Sequence, residues 1–459
     1  ESIAALIRSL QALGVAKGDK IALLSENRSE WALVYLAAVS MGTIIVPLDI
    51  LLTPEEITNL LKDSKPKVFF LSASQKNRFS QLEELPVPFF VLFDPIDETK
   101  HIQEKNQAQS LISQLLSLGI LPKKIQKTIL EHKENLFLTD NCELLIKNER
   151  FHDFTTLIEA GKQIITQRCE ESSLFPPLSS DDPAALIYTS GTTGKPKGVV
   201  RTHESYMAMY YLHIANMGVR TTDKVMMVMP MCHVNSIFYS FPYTLISAPV
   251  CVYNESSFNP EDFLATVQKY RITFVSLVPT HYIMILSLPD EIKKKYDVSS
   301  MRQLLISSAP ARKDTKVAIL EFFKNAELWE AYGSTEAGLV TLCRPEDQLR
   351  KLGTIGREIF GIDRIKVLDE QGNEVPDGQV GELYARTPML FKEYWHLPEK
   401  TKEVFQGEWF TAGDMCYRDP DGFYVLVDRK ANMIITGGEN VFPSEVENAV
   451  GAHPAVKDV

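Results

Sequence analysis

Strand and helix patterns alternate from the first residues of this chain, and this alternation limits the fold more than any other feature. Apolar residues at helical spacing end at Gly14, and Lys20–Leu24 then reads as a buried strand. The next predicted elements are a helix at 29–42, capped by Ser29, and strands at Thr43–Pro47 and Lys67–Leu71. Strands that alternate with helices form βαβ units, so the sequence predicts an α/β protein with a largely parallel sheet.

The link between the last two of these strands carries several helix-start signals. Thr53 is a capping residue, Pro54 suits the first helical turn, and Glu56 stands where a capping box needs a carboxylate. We therefore expect a helix to begin at Pro54.

The same alternation returns after a Pro-containing linker at 172–182 and continues to about Thr341. The predicted strands of this second region are Ala184–Thr189, Val225–Met229, Thr273–Leu277 and Leu304–Ile306. Short strands punctuated by Asp-Gly turns follow, which favours a small β-rich, barrel-like unit. We therefore expect four parts: an α/β subdomain at 1–171, a second α/β subdomain at 172–345, the β-rich unit at 346–428 and a further segment at 429–459. Within the first part, 97–171 reads as a helical insertion with helices at 110–118 and 123–132.

Charge and hydropathy exclude two classes of function. The 459 residues include 48 basic and 59 acidic side chains, a net charge of -11, and the longest basic tract is 293–295. Nucleic-acid binding is therefore not expected. No apolar run approaches the roughly 20 residues of a membrane-spanning helix, and no signal peptide follows Glu1, so we treat the chain as a fragment of a protein without a transmembrane segment.

The six cysteines fit neither a zinc site nor a disulfide framework. They are widely spaced, with no C-x-x-C pair among them. Reduced thiols in a cytoplasmic protein are the expected state.

One loop has the composition of a phosphate cradle. Directly after the buried strand segment Ala184–Tyr188, the segment 189–198 reads TSGTTGKPKG, with three glycines, four hydroxyl residues and two lysines. Glycines let consecutive backbone N–H groups converge on an anion, and lysines supply charge. The spacing matches neither the P-loop nor G-x-G-x-x-G, and the segment alone would equally suit an exposed hairpin.

Four further motifs follow this loop in order. They are 307–310 (SSAP), 330–336 (EAYGSTE), 409–414 (WFTAGD) and 428–440, which runs from DRK to ITGGEN. With the loop, they resemble the adenylate-forming superfamily of acyl-CoA synthetases, luciferases and peptide-synthetase adenylation domains. The resemblance covers nearly the whole chain except 97–171. It implies a large domain of two α/β subdomains and a β-rich subdomain, followed by a small, truncated α+β C-terminal domain.

The resemblance also implies a nucleotide site. Its cofactor-binding residues are Thr189, Ser190, Gly191, Thr192, Thr193, Gly194, Lys195, Lys197, Ser308, Ala309, Pro310, Glu330, Ala331, Tyr332, Gly333, Thr335, Asp414 and Arg429. In this scheme the loop wraps the β- and γ-phosphates of ATP, Tyr332 stacks on adenine and Asp414 accepts from the ribose hydroxyls. A buried core tyrosine and a turn-forming aspartate are the alternatives for these last two residues.

The implied catalytic residues are Thr335, Glu336, Lys197 and His233. Thr335 resembles the α-phosphate ligand of the family, and Glu336 resembles its Mg²⁺ ligand, whereas Arg429 matches the residue that reaches ribose and phosphate. His233 stands in the acyl-pocket motif, where amino-acid-activating members carry Asp. Its presence favours an apolar carboxylate over an amino acid.

The implied reaction forms an acyl-adenylate from ATP and a fatty or related apolar carboxylate, and then transfers the acyl group to coenzyme A. Two departures from the family stand out: the hinge position holds Ala431 instead of Asp or Lys, and the C-terminal lysine motif is absent from the sequence, so poor adenylation is expected. An acyl-AMP ligase for a carrier protein, an aryl-CoA ligase and a catalytically silent nucleotide binder remain alternatives. The sequence also leaves open whether the protein forms a homodimer.

Overall fold

The computed structural model describes residues 1–79, 85–94, 150–167, 175–189, 196–255, 257–309, 311–432, 434–436, 439–441, 443, 446 and 450. The helices predicted at 110–118 and 123–132 lie outside these residues. The chain forms two compact units, one of residues 1–25, 32–43 and 50–177, and one of residues 26–31, 44–49 and 178–459. No helix among the described residues is long and apolar enough to cross a membrane.

The helices of the described residues alternate with strands through most of the chain. They are α1 (Ser2–Ala12), α2 (Ser29–Ser40), α3 (Pro54–Ser64), α4 (Ala73–Lys76), α5 (Phe154–Gln167), α6 (His203–Met217), α7 (Val234–Ser240), α8 (Pro242–Leu245), α9 (Pro260–Tyr270), α10 (Pro279–Leu286), α11 (Asp290–Lys293), α12 (Lys313–Phe322) and α13 (Pro398–Glu403). Short 3₁₀ turns lie at Pro345–Asp347 and Lys430–Asn432.

The longest strands lie before residue 345, and most of the later strands have two to four residues. They are β1 (Lys20–Leu24), β2 (Ile44–Pro47), β3 (Val68–Leu71), β4 (Phe89–Leu92), β5 (Phe151–Asp153), β6 (Pro183–Thr189), β7 (Lys197–Thr202), β8 (Val225–Met227), β9 (Val250–Val252), β10 (Phe274–Leu277), β11 (Gln303–Ile306), β12 (Glu327–Ser334), β13 (Gly338–Cys343), β14 (Arg357–Glu358), β15 (Lys366–Leu368), β16 (Gly381–Tyr384), β17 (Glu393–Tyr394), β18 (Phe405–Gln406), β19 (Trp409–Phe410), β20 (Asp414–Arg418), β21 (Tyr424–Arg429), β22 (Ile434–Thr436) and β23 (Glu439–Val441).

In the first unit, β1, β3, β4 and β5 form parallel pairs in that order. The predicted helix start is confirmed: the Thr53 side chain accepts from the Glu56 backbone, and the Glu56 carboxylate accepts from the Thr53 backbone N–H. Helices α1 and α5 cross closely at Gly161, where a Cβ would lie 1.9 Å from the carbonyl oxygen of Ala5. Only glycine allows this approach.

The second unit carries the main sheets of the described residues. One has the order β17-β7-β6-β2, and a seven-stranded sheet has the order β14-β13-β12-β11-β10-β8-β9. Strands β9, β8, β10, β11 and β12 are mutually parallel, whereas β13 and β14 are antiparallel additions. Strands β15, β16, β20 and β21 form an antiparallel sheet, and β18 with β19 and β22 with β23 form hairpins. The predicted mixture of parallel α/β sheets and a β-rich part is confirmed.

Strand β8 of this seven-stranded sheet ends two residues earlier than the sequence predicts, at Met227 instead of Met229. The Asn27 amide donates to the carbonyl oxygens of Val228 at 3.1 Å and Met229 at 3.0 Å, and its side-chain oxygen accepts from the Met231 backbone at 2.8 Å. These bonds hold the segment after Met227 outside the strand ladder, so the strand is Val225–Met227.

Candidate active site

The hydroxyl-rich loop connects two paired strands of the second unit. Thr189 ends β6 and Lys197 begins β7, and the two residues face each other across the antiparallel pair, with the Thr189 hydroxyl 3.5 Å from the Lys197 carbonyl oxygen. Residues 190–195 (Ser190, Gly191, Thr192, Thr193, Gly194 and Lys195) and Pro310 lie outside the described residues. The described ends of the loop therefore fix where it leaves and rejoins the sheet.

Glu336 lies in the turn between β12 and β13, and its carboxylate meets a residue from a distant segment. The Tyr394 hydroxyl donates to Glu336 Oε1 at 2.8 Å. Burial, and then the neighbouring carboxylate, raise the pKa of Tyr394, so the phenol keeps its proton. The Lys197 ammonium lies 4.7 Å from the centre of the same ring. Tyr394 thus connects the end of the loop with the carboxylate.

The turn that carries Thr335 and Glu336 is also held through its backbone. The Arg201 guanidinium, which has no solvent exposure, donates to the Thr335 carbonyl oxygen at 2.9 Å and to that of Glu336 at 3.4 Å. The Phe391 backbone donates to the same Glu336 oxygen at 2.7 Å. Sequence reasoning assigned no role to Arg201. A charged residue directly after the apolar run Gly198-Val199-Val200 was the signal that could have identified it.

Tyr332, Asp414 and Arg429 lie together. The Tyr332 hydroxyl donates to Asp414 Oδ2 at 2.6 Å, and Arg429 Nε lies 3.3 Å from Oδ1 of the same carboxylate. Asp414 and Arg429 face each other across β20 and β21, which explains the ion pair. Burial, and then the Asp414 charge, raise the pKa of the Tyr332 hydroxyl, which therefore remains a donor.

Ser308 and Ala309, which follow β11, are both exposed. Ser308 has φ of 70°, a left-handed conformation that is uncommon for non-glycine residues. The buried Ser307 hydroxyl accepts from the Asn235 amide at 2.5 Å. Ligands of open α/β sheets bind at the carboxyl ends of strands, and Ser308 stands at such an end.

Glu330 is predicted to bind the nucleotide, but its carboxylate has other partners. It forms a buried ion pair with Lys316 at 2.5 Å and accepts from the Ala311 backbone at 3.2 Å. The adjacent Ala331 is buried. Glu330 thereby ties the segment that follows Ala309 to β12, the strand that carries Tyr332.

A close backbone approach shapes the strand after Tyr332. A Cβ on Gly333 would lie 2.0 Å from the Gly338 carbonyl oxygen, so glycine is required there. The β12–β13 register shifts between Tyr332 and Gly333, which marks a bulge. Bulges re-aim side chains, and this one stands between Tyr332 and the turn that carries Glu336.

His233 precedes α7 and faces a carboxylate that sequence reasoning did not identify. Its Nε2 atom lies 3.0 Å from Asp49 Oδ2. The buried Cys232 thiol belongs to the same group, because the donor atoms of Asp49, Cys232 and His233 all lie within 4.8 Å of one another. Burial, and then Asp49, raise the pKa of the thiol, so it is protonated at neutral pH.

The chemistry of the site suits a hard cation at Glu336. A carboxylate oxygen is a preferred Mg²⁺ ligand, and Mg²⁺ commonly takes one or two carboxylates, with water and substrate phosphates completing its octahedron. Among the residues that the structure describes, the group of three potential metal ligands is Asp49, Cys232 and His233, and Glu336 does not belong to it. Glu336 therefore fits a cation that arrives with a polyphosphate.

The hinge position predicted from the sequence lies on the surface. Ala431 is exposed within the 3₁₀ turn Lys430–Asn432. The neighbouring Lys430 ammonium contacts Glu382 Oε2 at 2.8 Å.

Comparison with known proteins agrees with the resemblance found in the sequence. The profile of the family described as AMP-binding enzyme matches residues 1–395. A probable CoA ligase, CCL5 of Humulus lupulus, is 30% identical over 98% of this chain and 72% of its own length. A feruloyl-CoA synthase of Amycolatopsis sp. is 34% identical over 61% of this chain and 56% of its own length. A solved fatty acyl CoA synthetase of Mycobacterium tuberculosis, 25% identical, superposes with a TM-score of 0.73 over 100% of this chain and 77% of that one.

Proposed function

The chain belongs to the AMP-binding enzyme family, and we propose that it is an ATP-dependent acid–thiol ligase that converts a fatty or related apolar carboxylate into its CoA thioester. One observation carries the proposal. The Glu336 carboxylate and the Lys197 ammonium share the Tyr394 side chain at the point where the hydroxyl-rich loop rejoins its sheet. A carboxylate and an ammonium held this close suit a Mg²⁺–polyphosphate ligand.

In the first step a carboxylate oxygen of the acid attacks the α-phosphorus of ATP. The bond from that phosphorus to the bridging oxygen breaks, and pyrophosphate leaves with the electron pair. Mg²⁺ bound at Glu336 would supply charge neutralisation for the phosphates. The residues of the chain would position the reactants: Thr189 and Lys197 would bind the polyphosphate, and Thr335 would bind the α-phosphate.

We assign binding of the adenosine part of ATP to the group formed by Tyr332, Asp414 and Arg429. Asp414 presents two oxygens, as a vicinal diol requires, and these oxygens now accept from the Tyr332 hydroxyl and face Arg429. Ribose hydroxyls would replace or share these contacts. Tyr332, with Ser308, Ala309 and Pro310 as the opposite wall, would enclose the adenine. Glu330 supports this wall through its bond to Ala311.

In the second step the thiolate sulfur of coenzyme A attacks the acyl carbon of the adenylate, a C–S bond forms, and the C–O bond to AMP breaks. We assign His233 to the acid and thiol side of the site. The 3.0 Å contact of its Nε2 atom with Asp49 Oδ2 restrains the orientation of the ring. No Asp stands at position 233 to pair a substrate ammonium, which supports an acid without an amino group.

An aryl acid is the second candidate substrate, and one comparison favours it. The feruloyl-CoA synthase is more similar over its matched segment than the other relatives described above. A cytoplasmic location also belongs to the proposal, because Cys232, Cys251, Cys343 and Cys416 are free among the described residues.

Pyrophosphate exchange on a panel of fatty, aryl and amino acids tests the reaction. In a full-length protein that carries the C-terminal lysine motif, we expect exchange with apolar acids and none with amino acids, and added CoA should then convert the adenylate to the thioester with release of AMP. Glu336→Gln should abolish most of the Mg²⁺-dependent signal. ATP binding without exchange for any acid would support the silent nucleotide binder instead. Exchange confined to aryl acids would select the aryl ligase.

A further inference from the structure

Arg201 is a buried cation placed behind the turn between β12 and β13. It lies near the end of β7, four residues after Lys197, and its side chain has no solvent exposure. Burial of a charge is costly unless hydrogen bonds and neighbouring groups compensate it. The groups that surround this guanidinium therefore indicate what it does.

Three hydrogen bonds of its guanidinium go to backbone carbonyl oxygens of two segments. Nη1 donates to the carbonyl oxygens of Thr335 and Glu336, and Nη2 donates to that of Ser205 at 3.2 Å. Ser205 lies in the first turn of α6, where the Thr202 and Ser205 side chains form a reciprocal cap. One planar group thus joins a rigid helix start to the turn that carries Glu336.

Two aromatic rings also lie against the guanidinium. Its central carbon lies 4.9 Å from the ring centre of Phe238 and 5.3 Å from that of Tyr206. Phe238 belongs to α7, the helix that His233 precedes. Cation–π contacts gain strength away from water, so both rings stabilise the buried charge and restrict its movement.

We infer that Arg201 is a positioning residue that fixes the backbone of Thr335 and Glu336, and through it the carboxylate that receives Mg²⁺–ATP. This inference rests on the proposed function. Tyr394 and Arg201 hold Glu336 in complementary ways, because the phenol bonds the carboxylate and the guanidinium bonds the main chain. Loss of Arg201 leaves the turn carbonyls without this donor and lets the turn shift.

Arg201→Lys is the informative substitution. Lysine keeps the charge, but it lacks the planar fork that reaches Thr335, Glu336 and Ser205 together. Arg201→Met serves as the stronger variant where it folds. Arg302→Lys is a matched control, because Arg302 lies in the same unit and donates two side-chain hydrogen bonds to Asp223, and no hydrogen bond among the described residues joins it to the turn.

Calorimetric titration with ATP at several Mg²⁺ concentrations provides a readout that does not depend on turnover. We expect Arg201→Lys to raise the Mg²⁺ concentration needed for half-maximal ATP affinity by about tenfold, as loss of one or two good hydrogen bonds predicts. The affinity for the acid should stay within about twofold. Arg302→Lys should lower the melting temperature without a shift in the Mg²⁺ requirement. An unchanged Mg²⁺ requirement in Arg201→Lys would overturn the inference.

A double-mutant cycle with Glu336→Gln separates this inference from the proposed function. If Arg201 acts through Glu336, Arg201→Lys should add little to the Mg²⁺ shift that Glu336→Gln already causes. Fully additive shifts would mean that Arg201 acts elsewhere and would defeat the inference alone. A Glu336→Gln variant with an unaltered Mg²⁺ requirement would defeat the proposed metal role, and with it the premise.

Discussion

The Tyr394 hydroxyl donates to Glu336 Oε1 at 2.8 Å, although 58 positions separate the two residues in the chain. Strand β17, which carries Tyr394, pairs with β7 and so brings the phenol next to the loop end at Lys197. The ring therefore contacts one cationic and one anionic group. In a ligand that contains both a metal ion and phosphate oxygens, the metal ion would contact Glu336 and the phosphate oxygens would contact Lys197.

Tyr394→Phe should weaken the Mg²⁺ response while the fold persists. The variant removes the hydroxyl and leaves the ring, so Lys197 keeps its aromatic neighbour and Glu336 loses a donor. A hydrogen bond to a charged group contributes about 1.5–3 kcal/mol, which predicts at least a tenfold rise in the Mg²⁺ requirement for ATP binding. Calorimetry measures this rise.

Tyr424→Phe is the matched control for that experiment. The Tyr424 hydroxyl also donates to a carboxylate, Glu358 Oε1 at 2.5 Å, within the β-rich part of the second unit. This variant should lower stability and leave the Mg²⁺ requirement unchanged. Equal shifts in both variants would mean that the phenol of Tyr394 acts through general stability.

Asp414→Asn should weaken ATP binding more than acid binding. The amide that replaces one carboxylate oxygen loses the charge that faces Arg429, and it no longer offers two acceptors to ribose. We expect about a tenfold or greater rise in the ATP dissociation constant and a smaller preference for ATP over 2′-deoxy-ATP. Asp377→Asn, which breaks the exposed pair with Arg418, is the control. An unchanged ribose preference would identify Asp414 as a residue of the turn and the ion pair only.

Much of the fold could be predicted because its determinants are local. The capping box at Thr53 and the apolar runs of β1 and β10 are readable from neighbouring residues alone. The end of β8 is not, because it depends on Asn27, roughly 200 positions earlier in the chain.

The residues of the candidate site also differ in whether the sequence alone could identify them. Glu336, Tyr332 and Asp414 stand in contiguous motifs, so the sequence could name them. Their partners Tyr394 and Arg201 come from other segments, and a sequence does not show which distant side chain a carboxylate will meet. The same holds for Asp49 beside His233 and for Lys316 beside Glu330. In each pair, the role that we assign to the residue depends on a partner that the sequence does not reveal.

Lys316→Met should destabilise the protein by about 3–5 kcal/mol, because it leaves the Glu330 carboxylate buried without its cation. The double variant Lys316→Met with Glu330→Gln should recover part of this loss. Urea unfolding measures both. If Glu330 instead contacts ATP directly, Glu330→Gln alone should abolish ATP binding at unchanged stability, contrary to our expectation of a structural role.

His213 provides a pH-dependent test of the core of the second unit. The imidazole has no solvent exposure and packs against the rings of Tyr239, Tyr243 and Phe274. Neither ring nitrogen has a hydrogen-bond partner among the described residues. Burial lowers the pKa of His213 to about 3 in the folded protein.

The sign of the effect follows from proton binding. Between pH 6.5 and 3 the unfolded chain protonates His213 and the folded protein does not, so acid favours unfolding. This single group should remove about 1.4 kcal/mol of stability per pH unit below 6.5, or roughly 2 kcal/mol between pH 6.5 and 5. His213→Phe should abolish this part of the pH dependence, and His213→Gln should do so with a polar side chain of similar size. The measurement is the difference in urea unfolding free energy between wild type and each variant across this range. Parallel curves for wild type and both variants would mean that His213 is protonated equally in the folded and unfolded states, and would contradict its burial as a neutral ring.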